Sequence, residues 1–263
     1  MLWQTNGWWI IAVVIGAFLA AMETGYRLGL YHRDPDEPGR AHIGALQGGL
    51  LGLMALLLAF SMSMSVSRFD SRKAMVLEEA NAIGTTWLRS QLLSAEAGRE
   101  SEQLLRDYVT QRLAFFSEDL DVEGQEAAGR RASTILTRLW QIAAAEGRAH
   151  PDADVLTLYI ESLNQTIDLG EKRVAIRNNH LPDTILYVLF SVMFGSMAFI
   201  GYGNGLSGRR RIGSNIIFAV LVMMVLVVIM DMDRPSRGFI QVGQGSMLRL
   251  QESMANATTT AAP

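Results

Sequence analysis

The feature that most limits how this chain can fold is the segment between Gly52 and Gly84, which contains neither glycine nor proline. Residues 43–67 carry no charge, and charged residues follow from Arg68 onward without any break in helix-forming character. Because nothing in this segment would interrupt a helix, one helix is predicted to leave the bilayer and continue into a polar domain. At about 1.5 Å per residue, residues 43–93 would span about 75 Å, far more than the roughly 30 Å hydrocarbon core of a membrane.

Charge is distributed very unevenly along the chain. Residues 68–180 hold 14 of the 23 lysines and arginines and 18 of the 26 aspartates and glutamates, so the other residues are sparsely charged. Cysteine is absent, which excludes disulfides and thiolate chemistry. No basic block with interleaved aromatic residues is present, and this argues against nucleic acid as a partner. The composition indicates a membrane protein with one polar inserted domain.

Four segments are long and apolar enough to cross a bilayer. They are predicted at about residues 8–30, 43–67, 184–206 and 212–230. The first could instead be a cleaved signal peptide, although it lacks a basic start and an Ala-x-Ala cleavage site. The predicted fold is an all-α membrane protein in which two hairpins of transmembrane helices flank an inserted helical bundle. In this fold the second span is continuous with the first helix of the bundle.

The pattern of charges and turns divides the chain into five parts. They are a first membrane hairpin at 1–67, a soluble helical domain at 68–180, a second membrane hairpin at 181–232, a connector with a short helix at 233–254, and a disordered tail at 255–263. About four helices are predicted in the domain, because apolar residues recur every three or four positions in Leu104–Phe116 and Ala132–Ala143. Helix breaks are expected at 94–99, 119–124 and 147–151.

An even number of spans places both termini and the inserted domain on one side of the membrane. Near the span ends that side carries eight lysines and arginines, and the two hairpin turns on the other side carry six. The positive-inside rule therefore predicts a cytoplasmic domain and cytoplasmic termini. The triplet Arg209–Arg211, in a hairpin turn, favours the opposite orientation.

The second span has two different faces. Small residues recur on one of them, and close packing against a neighbouring helix is the predicted role of Gly44, Gly48, Gly52 and Ala59. The opposite face is apolar in the middle and polar at both ends, and its members are Gln47, Leu50, Met54, Leu57, Ser61, Ser65 and Arg68. Repeated around a symmetry axis, these candidate pore-lining residues would form a dry constriction with wet entrances. In a monomer they would form only a core or lipid-facing stripe.

Charged residues cluster where the second and fourth spans end. A structural ion network is predicted among them, with a cation or gating site as the alternative; its members are Arg68, Asp70, Arg72, Asp231, Asp233 and Arg234. The four histidines do not have the spacing of metal ligands. No glycine-rich phosphate loop precedes a helix. We therefore expect no catalytic residues, no metal site and no cofactor.

Several blocks of the sequence resemble the bacterial bestrophin-like proteins. The most specific block is Glu78–Thr85, and the others are Leu56–Ser61, Ser67–Lys73, Leu163-Asn164 and Asp231–Gly238. The resemblance implies a four-span protein of the bacterial inner membrane with the layout of bestrophins, which are pentameric anion channels whose second span lines the pore. The pore aromatics and the acidic calcium clasp of bestrophins have no definite counterparts in this sequence.

Two functions remain open at this point. The first is a homo-oligomeric channel, pentameric by the resemblance, which passes small anions along an axis formed by the second span and has membrane lipids as its other partners. The second is a membrane-anchored interaction or sensory protein that acts through its helical domain and does not conduct. A continuous axial pore in the purified oligomer would distinguish them, because a scaffold needs no water path.

Overall fold

The computed structural model of the chain describes residues 8–32, 37–117, 119–177, 179–233 and 240–260. Within these ranges the chain is built from helices, and no strand is present. This confirms the predicted all-α class. The helices are α1 Trp8–Tyr31, α2 Glu37–Arg89, α3 Ala95–Phe115, α4 Val122–Ala149, α5 Asp154–Arg177, α6 Asp183–Leu206, α7 Ile212–Asp233 and α8 Gly245–Thr260.

The longest element is α2, which runs without interruption for 53 residues. At about 1.5 Å per residue it is about 80 Å long, so the prediction of one helix that outlasts the bilayer is confirmed. A 3₁₀ turn, Ser90–Leu92, follows α2 directly, and Leu93 then adopts an extended conformation. The Ser90 hydroxyl donates to the Trp87 carbonyl at 2.7 Å, which satisfies one of the acceptors left open at the helix end.

Four of the helices are long and apolar enough to cross a membrane, as predicted: α1, α2, α6 and α7. Their outward surfaces carry large apolar side chains, for example Ile217, Leu221 and Met224 on α7. Lipid tails are as apolar as leucine, so such side chains need no protein cover in a bilayer. The chain is therefore a multi-pass membrane protein.

Contacts divide the described chain into two compact units. The first, called here the membrane unit, comprises the described residues up to Ser67 together with His180–Asp233. Buried side chains from α1, α2, α6 and α7 form its core, among them Phe18, Met54, Leu58, Met193, Met197 and Leu226. The rings of Phe18 and Phe194 meet edge to face with 5.1 Å between their centroids. Methionine, which is flexible, fills the space around them.

The second unit, called here the domain unit, comprises Arg68–Asn179 together with the described residues from 240 onward. Its core joins the later part of α2 to α3, α4, α5 and α8, and includes Ile83, Leu105, Leu139, Tyr159, Leu163, Met247 and Met254. The predicted periodicity of α4 brings Ala132, Leu139 and Ala143 into this core. Trp140 belongs to the same predicted run but is 44% exposed.

The structure differs from the sequence-based expectation at several helix ends. The breaks expected at 119–124 and 147–151 are shifted, since α4 begins at Val122 and ends at Ala149. The break expected at 94–99 is shorter, since α3 already begins at Ala95. Gly98 lies inside α3, and a Cβ there would lie 2.8 Å from the Ser90 carbonyl oxygen, so only glycine leaves room for this close approach. The disordered tail expected from residue 255 is helical to Thr260. Ala255 and Ala257 have high helix propensity, and this explains how α8 continues past Met254.

Candidate functional site

The predicted pore-lining face of α2 lies largely inside the subunit. Met54, Ser61 and Ser65 are buried, with exposed fractions of 4%, 2% and 0%. Ser196 of α6 donates its hydroxyl to the Leu50 carbonyl at 3.4 Å, so this face attaches α2 to its own chain. The remaining members are half-buried, and these are Gln47, Leu50, Leu57 and Arg68. A pore-lining role for this face stays a prediction.

The small-residue face of α2 is exposed in the subunit. Within the described part of the chain, no atom outside the helix lies within 4 Å of the Cβ position that a side chain at Gly44, Gly48 or Gly52 would have. Ala59 is exposed as well. These four residues are therefore not used for packing inside the subunit. Their predicted packing role requires a second copy of the chain and stays a prediction.

A third stripe of α2 carries large apolar side chains that point away from the core. Leu53, Leu56 and Phe60 have exposed fractions of 45%, 52% and 60%. At about 100° per residue, Ser63 lies opposite Met54, and Leu56 lies within about 20° of Ser63. The circumference of α2 in the membrane unit is thus divided into a core face, a small-residue face and this exposed large stripe.

Four glycines that the sequence analysis did not single out hold α1 against α6. A Cβ at Gly201 would overlap the backbone carbonyl of Met22 on α1. A Cβ at Gly25 would likewise overlap a backbone carbonyl of α6. One turn further along, a Cβ at Gly29 would lie 2.9 Å from the Cα of Gly205. Both helices therefore carry a Gly-x-x-x-Gly motif, which is typical of transmembrane helices whose backbones approach closely. The motif is readable in the sequence at residues 25–29 and 201–205.

Two members of the predicted ion network, Arg68 and Arg72, contact Asn179 in the domain unit. Arg68 donates from Nη1 to the Asn179 side-chain oxygen at 3.3 Å. Arg72 donates from Nη2 to the Asn179 carbonyl oxygen at 3.0 Å. Both arginines therefore hold the chain just after the end of α5.

In the membrane unit, Asp233 holds the chain just before α6. Its carboxylate accepts a hydrogen bond from the backbone N–H of Leu181 at 3.0 Å. The Nδ1 atom of His180 lies 3.5 Å from the same carboxylate. Arg234 lies outside the described residues. The joint network of these groups with Asp70 and Asp231 stays a prediction.

The domain unit contains a buried ion cluster centred on Glu79, which is fully buried. Its Oε1 accepts from Nε of Arg112 at 2.5 Å, and its Oε2 accepts from Nη1 of Arg173 at 2.5 Å. Arg112 also donates to the Gly170 carbonyl at 3.1 Å, and Arg173 donates to the side-chain oxygen of Gln244. One carboxylate thus connects α2, α3, α5 and the segment before α8.

Burial shapes the electrostatics of this cluster. Desolvation lowers the pKa of the Arg173 guanidinium, and the nearby Glu79 carboxylate opposes that shift. Desolvation also raises the pKa of the Tyr108 hydroxyl above its usual range. The Arg173 guanidinium lies 3.7 Å from the centre of the Phe116 ring, so the aromatic face contributes to holding the charge. Among the described residues, no group of three or more histidines and carboxylates is placed to hold a metal ion.

Comparisons with known proteins agree with this architecture. A family model described as the Bestrophin-like domain matches residues 29–247, which confirms the resemblance seen in the sequence. The crystal structure of a bacterial bestrophin homologue from Klebsiella pneumoniae, carrying a tyrosine-to-alanine mutation, has a TM-score of 0.67 over 94% of this chain and 99% of its own, at 13% identity. The crystal structure of a membrane protein with a glycine-to-alanine mutation gives 0.65 over 97% and 99%, also at 13% identity. A search of curated proteins found no match.

Proposed function

We propose that this chain, which belongs to the bestrophin-like family, is one subunit of a homo-oligomeric ion channel in the bacterial inner membrane. The observation that carries the proposal is the uncovered surface of α2 in the membrane unit. Between α1 and α6, each Gly-x-x-x-Gly motif packs against the backbone of the other helix. The open motif at Gly44, Gly48 and Gly52 therefore supports a contact with another subunit.

The order of the faces around α2 supports a ring. The small-residue face and the large stripe lie on opposite flanks of the surface that points away from the core. Leu53 and Phe60 of one subunit can therefore pack against Gly48 and Gly52 of the next. Such a contact joins two different patches, and we propose that its repeat by rotation about the membrane normal closes into a ring. The family resemblance favours five subunits.

In such a ring, the residues of α2 opposite its core face would line the axis. Leu56 and Ser63 lie there, and both are exposed in the subunit. Leu56 is the larger of the two, so we propose that it forms the dry constriction, where loss of water closes the resting pore. The burial of Met54 and Ser61 supports Leu56, rather than the neighbouring Leu57, as the axial leucine.

The adjacent leucines provide a matched test of conduction. Purified protein in nanodiscs should show rotational symmetry with density for α2 around the axis. In liposomes, Leu56→Ser should wet the constriction and raise the ion flux at least tenfold, whereas Leu57→Ser should change it little. If Leu57→Ser raises the flux strongly and Leu56→Ser does not, the pore is lined by the face of α2 predicted from the sequence.

Anions are the proposed passengers, by the family resemblance. Arg68 follows directly after the second span but lies on the core face of α2 and contacts Asn179, so it does not face the proposed axis. Asp70, which is exposed, is the neighbouring charge of opposite sign. In bilayers with asymmetric chloride, Asp70→Asn should move the reversal potential toward stronger anion preference, and Arg68→Glu, which reverses a charge further from the axis, should move it less far toward cation preference. A cation-selective wild type whose preference is lost in Asp70→Asn would overturn the choice of ion but leave the channel in place.

We also propose that the domain unit is cytoplasmic. Because the chain has no cysteine, single cysteines report orientation cleanly. A membrane-impermeant maleimide applied to intact cells should label Ser207→Cys, which lies in the turn after α6, and should leave Ser133→Cys on α4 unlabelled. The reverse pattern would show that the domain faces outward, as the triplet Arg209–Arg211 suggests.

The remaining alternative is a membrane-anchored interaction or sensory protein. Symmetric oligomers that stay silent in both liposomes and bilayers, for wild type and for Leu56→Ser and Leu57→Ser alike, would support it and overturn the channel.

A further inference from the structure

A second site is present in the domain unit, next to the Glu79 cluster. It is a cavity of about 290 Å³ between α2, the end of α3, α5 and the segment that precedes α8. Three arginines line it, Arg72, Arg173 and Arg177, and the described lining residues include no carboxylate. The volume is close to the lower end of the range for small-molecule sites, about 300–1,000 Å³.

The described hydrogen bonds of Arg177 do not neutralise its charge. Arg177 donates from Nη1 to the Phe115 carbonyl at 3.1 Å and from Nη2 to the side-chain oxygen of Gln125 at 2.7 Å, and both acceptors are uncharged. Arg173 has a carboxylate partner in Glu79 through Oε2, but the other oxygen of the same carboxylate accepts from Arg112. In the described contacts, the one carboxylate of Glu79 thus pairs with two guanidinium groups.

Burial destabilises these charged guanidinium groups, so a bound anion would stabilise them. Desolvation lowers the pKa of both Arg173 and Arg177, and the neighbouring Arg112 lowers the pKa of Arg177 further. Arginine does not deprotonate in proteins, so loss of the proton cannot relieve the cost. A guanidinium also has five N–H donors in a planar fork. The contacts described for Arg177 use two of them, which leaves donors for a ligand.

The cavity also has apolar walls, which favour a ligand with an apolar part beside its anionic group. Val76, Ile176 and Val242 contribute aliphatic surface, and Phe116 contributes an aromatic ring. A bare hydrated anion would gain nothing from these walls. A molecule with a charged oxygen fork at one end and a small apolar body at the other would contact both parts of the lining.

We propose that this cavity binds a small organic carboxylate, with its oxygens on the guanidinium groups of Arg173 and Arg177 and its apolar body against Phe116 and Ile176. The planar fork of a carboxylate matches the planar fork of a guanidinium. Gln241, Val242, Gly243 and Gln244 form one wall, and Gln244 directly precedes α8. Binding therefore orders the segment that leads into α8. The site does not depend on conduction.

The test uses the purified full-length chain in detergent, with benzoate, butyrate, inorganic phosphate and chloride as probes in isothermal titration calorimetry. Benzoate and butyrate should bind saturably and more tightly than the two inorganic ions. Arg177→Gln should weaken benzoate binding at least tenfold, equal to about 1.4 kcal/mol. Arg130→Gln, which changes an exposed arginine on α4, is the matched control and should leave the affinity unchanged.

A second variant keeps the proposal testable if Arg177→Gln folds poorly. Ile176→Phe fills the cavity and preserves every charge, so it should also abolish benzoate binding. In hydrogen exchange, benzoate should slow the amides of residues 241–244 in wild type and not in Ile176→Phe. The proposal is overturned if neither carboxylate binds at millimolar concentrations, if phosphate or chloride binds as tightly as benzoate, or if both variants bind benzoate normally.

Discussion

The membrane unit and the domain unit are both helical, yet different contacts hold them together. In the membrane unit, α1 and α6 meet backbone to backbone at Gly25, Gly29, Gly201 and Gly205. In the domain unit, large aliphatic and aromatic side chains surround one carboxylate that binds two arginines. Water drives apolar side chains together, whereas lipid tails offer no such drive and helices must gain contact by close approach. Each unit is therefore held together by the interaction that its surroundings make effective.

The domain unit should be most sensitive at its buried carboxylate. Glu79→Gln keeps the shape but removes the charge that compensates Arg112 and Arg173. Breaking a buried ion pair costs about 3–5 kcal/mol, so the variant should lose most of the stability of the domain unit. Thermal unfolding followed by circular dichroism measures the loss. Glu78→Gln, which changes the exposed neighbour, is the control, and equal midpoints for the two variants would contradict the role of the cluster.

The membrane unit should be most sensitive where its helices touch. Gly201→Ala places a methyl group on the carbonyl of Met22 and forces α1 and α6 apart, at a cost of about 1–3 kcal/mol. Gly195→Ala lies on the same helix with open space around it. That control should be neutral or slightly stabilising, because alanine is the better helix former. Unfolding in mixed micelles compares them, and similar losses would mean that close backbone contact is unimportant.

The glycines of α2 separate subunit folding from assembly. Gly48→Leu should lower the association constant of the oligomer about tenfold, equal to about 1.4 kcal/mol. Native gels should therefore show a smaller oligomer fraction. The subunit itself should stay folded, since Gly48 touches no other described helix. Leu50→Ala acts inside the subunit and should leave the oligomer in place. Equal oligomer fractions for the two variants would remove the proposed subunit contact.

Much of the fold could be predicted because it depends on local patterns. The continuity of α2 from the membrane unit into the domain unit follows from the absence of glycine and proline between Gly52 and Gly84, and the four spans follow from length and hydropathy. The faces of α2 were harder to assign. A sequence shows that Gly48 and Met54 lie on different faces, but which face turns inward depends on the helices that pack against them.

The Glu79 cluster could not have been predicted from spacing. Its three members, Glu79, Arg112 and Arg173, come from three different helices, so no periodicity links them. The Gly-x-x-x-Gly motifs of α1 and α6 are a different case. Their spacing was visible, but the similar motif on α2 is open in the subunit, so the motif alone does not tell which pair of helices meets.

The domain unit also contains a buried hydroxyl pair, Thr86 and Thr166, with 2.9 Å between their oxygens. The Thr86 hydroxyl has one proton and donates it to the Ala82 carbonyl at 2.9 Å. Thr166 must therefore be the donor in the pair.

The two single substitutions should differ for that reason. Thr166→Val removes a donor while Thr86 keeps its bond to Ala82, so the cost should be about 1 kcal/mol. Thr86→Val leaves a buried hydroxyl without its acceptor and should cost about 1–3 kcal/mol. The double variant should be no worse than Thr86→Val, because no unpaired donor remains. Chemical unfolding of the four proteins gives the comparison, and equal costs for the single variants would mean that Thr166 finds another acceptor in α5.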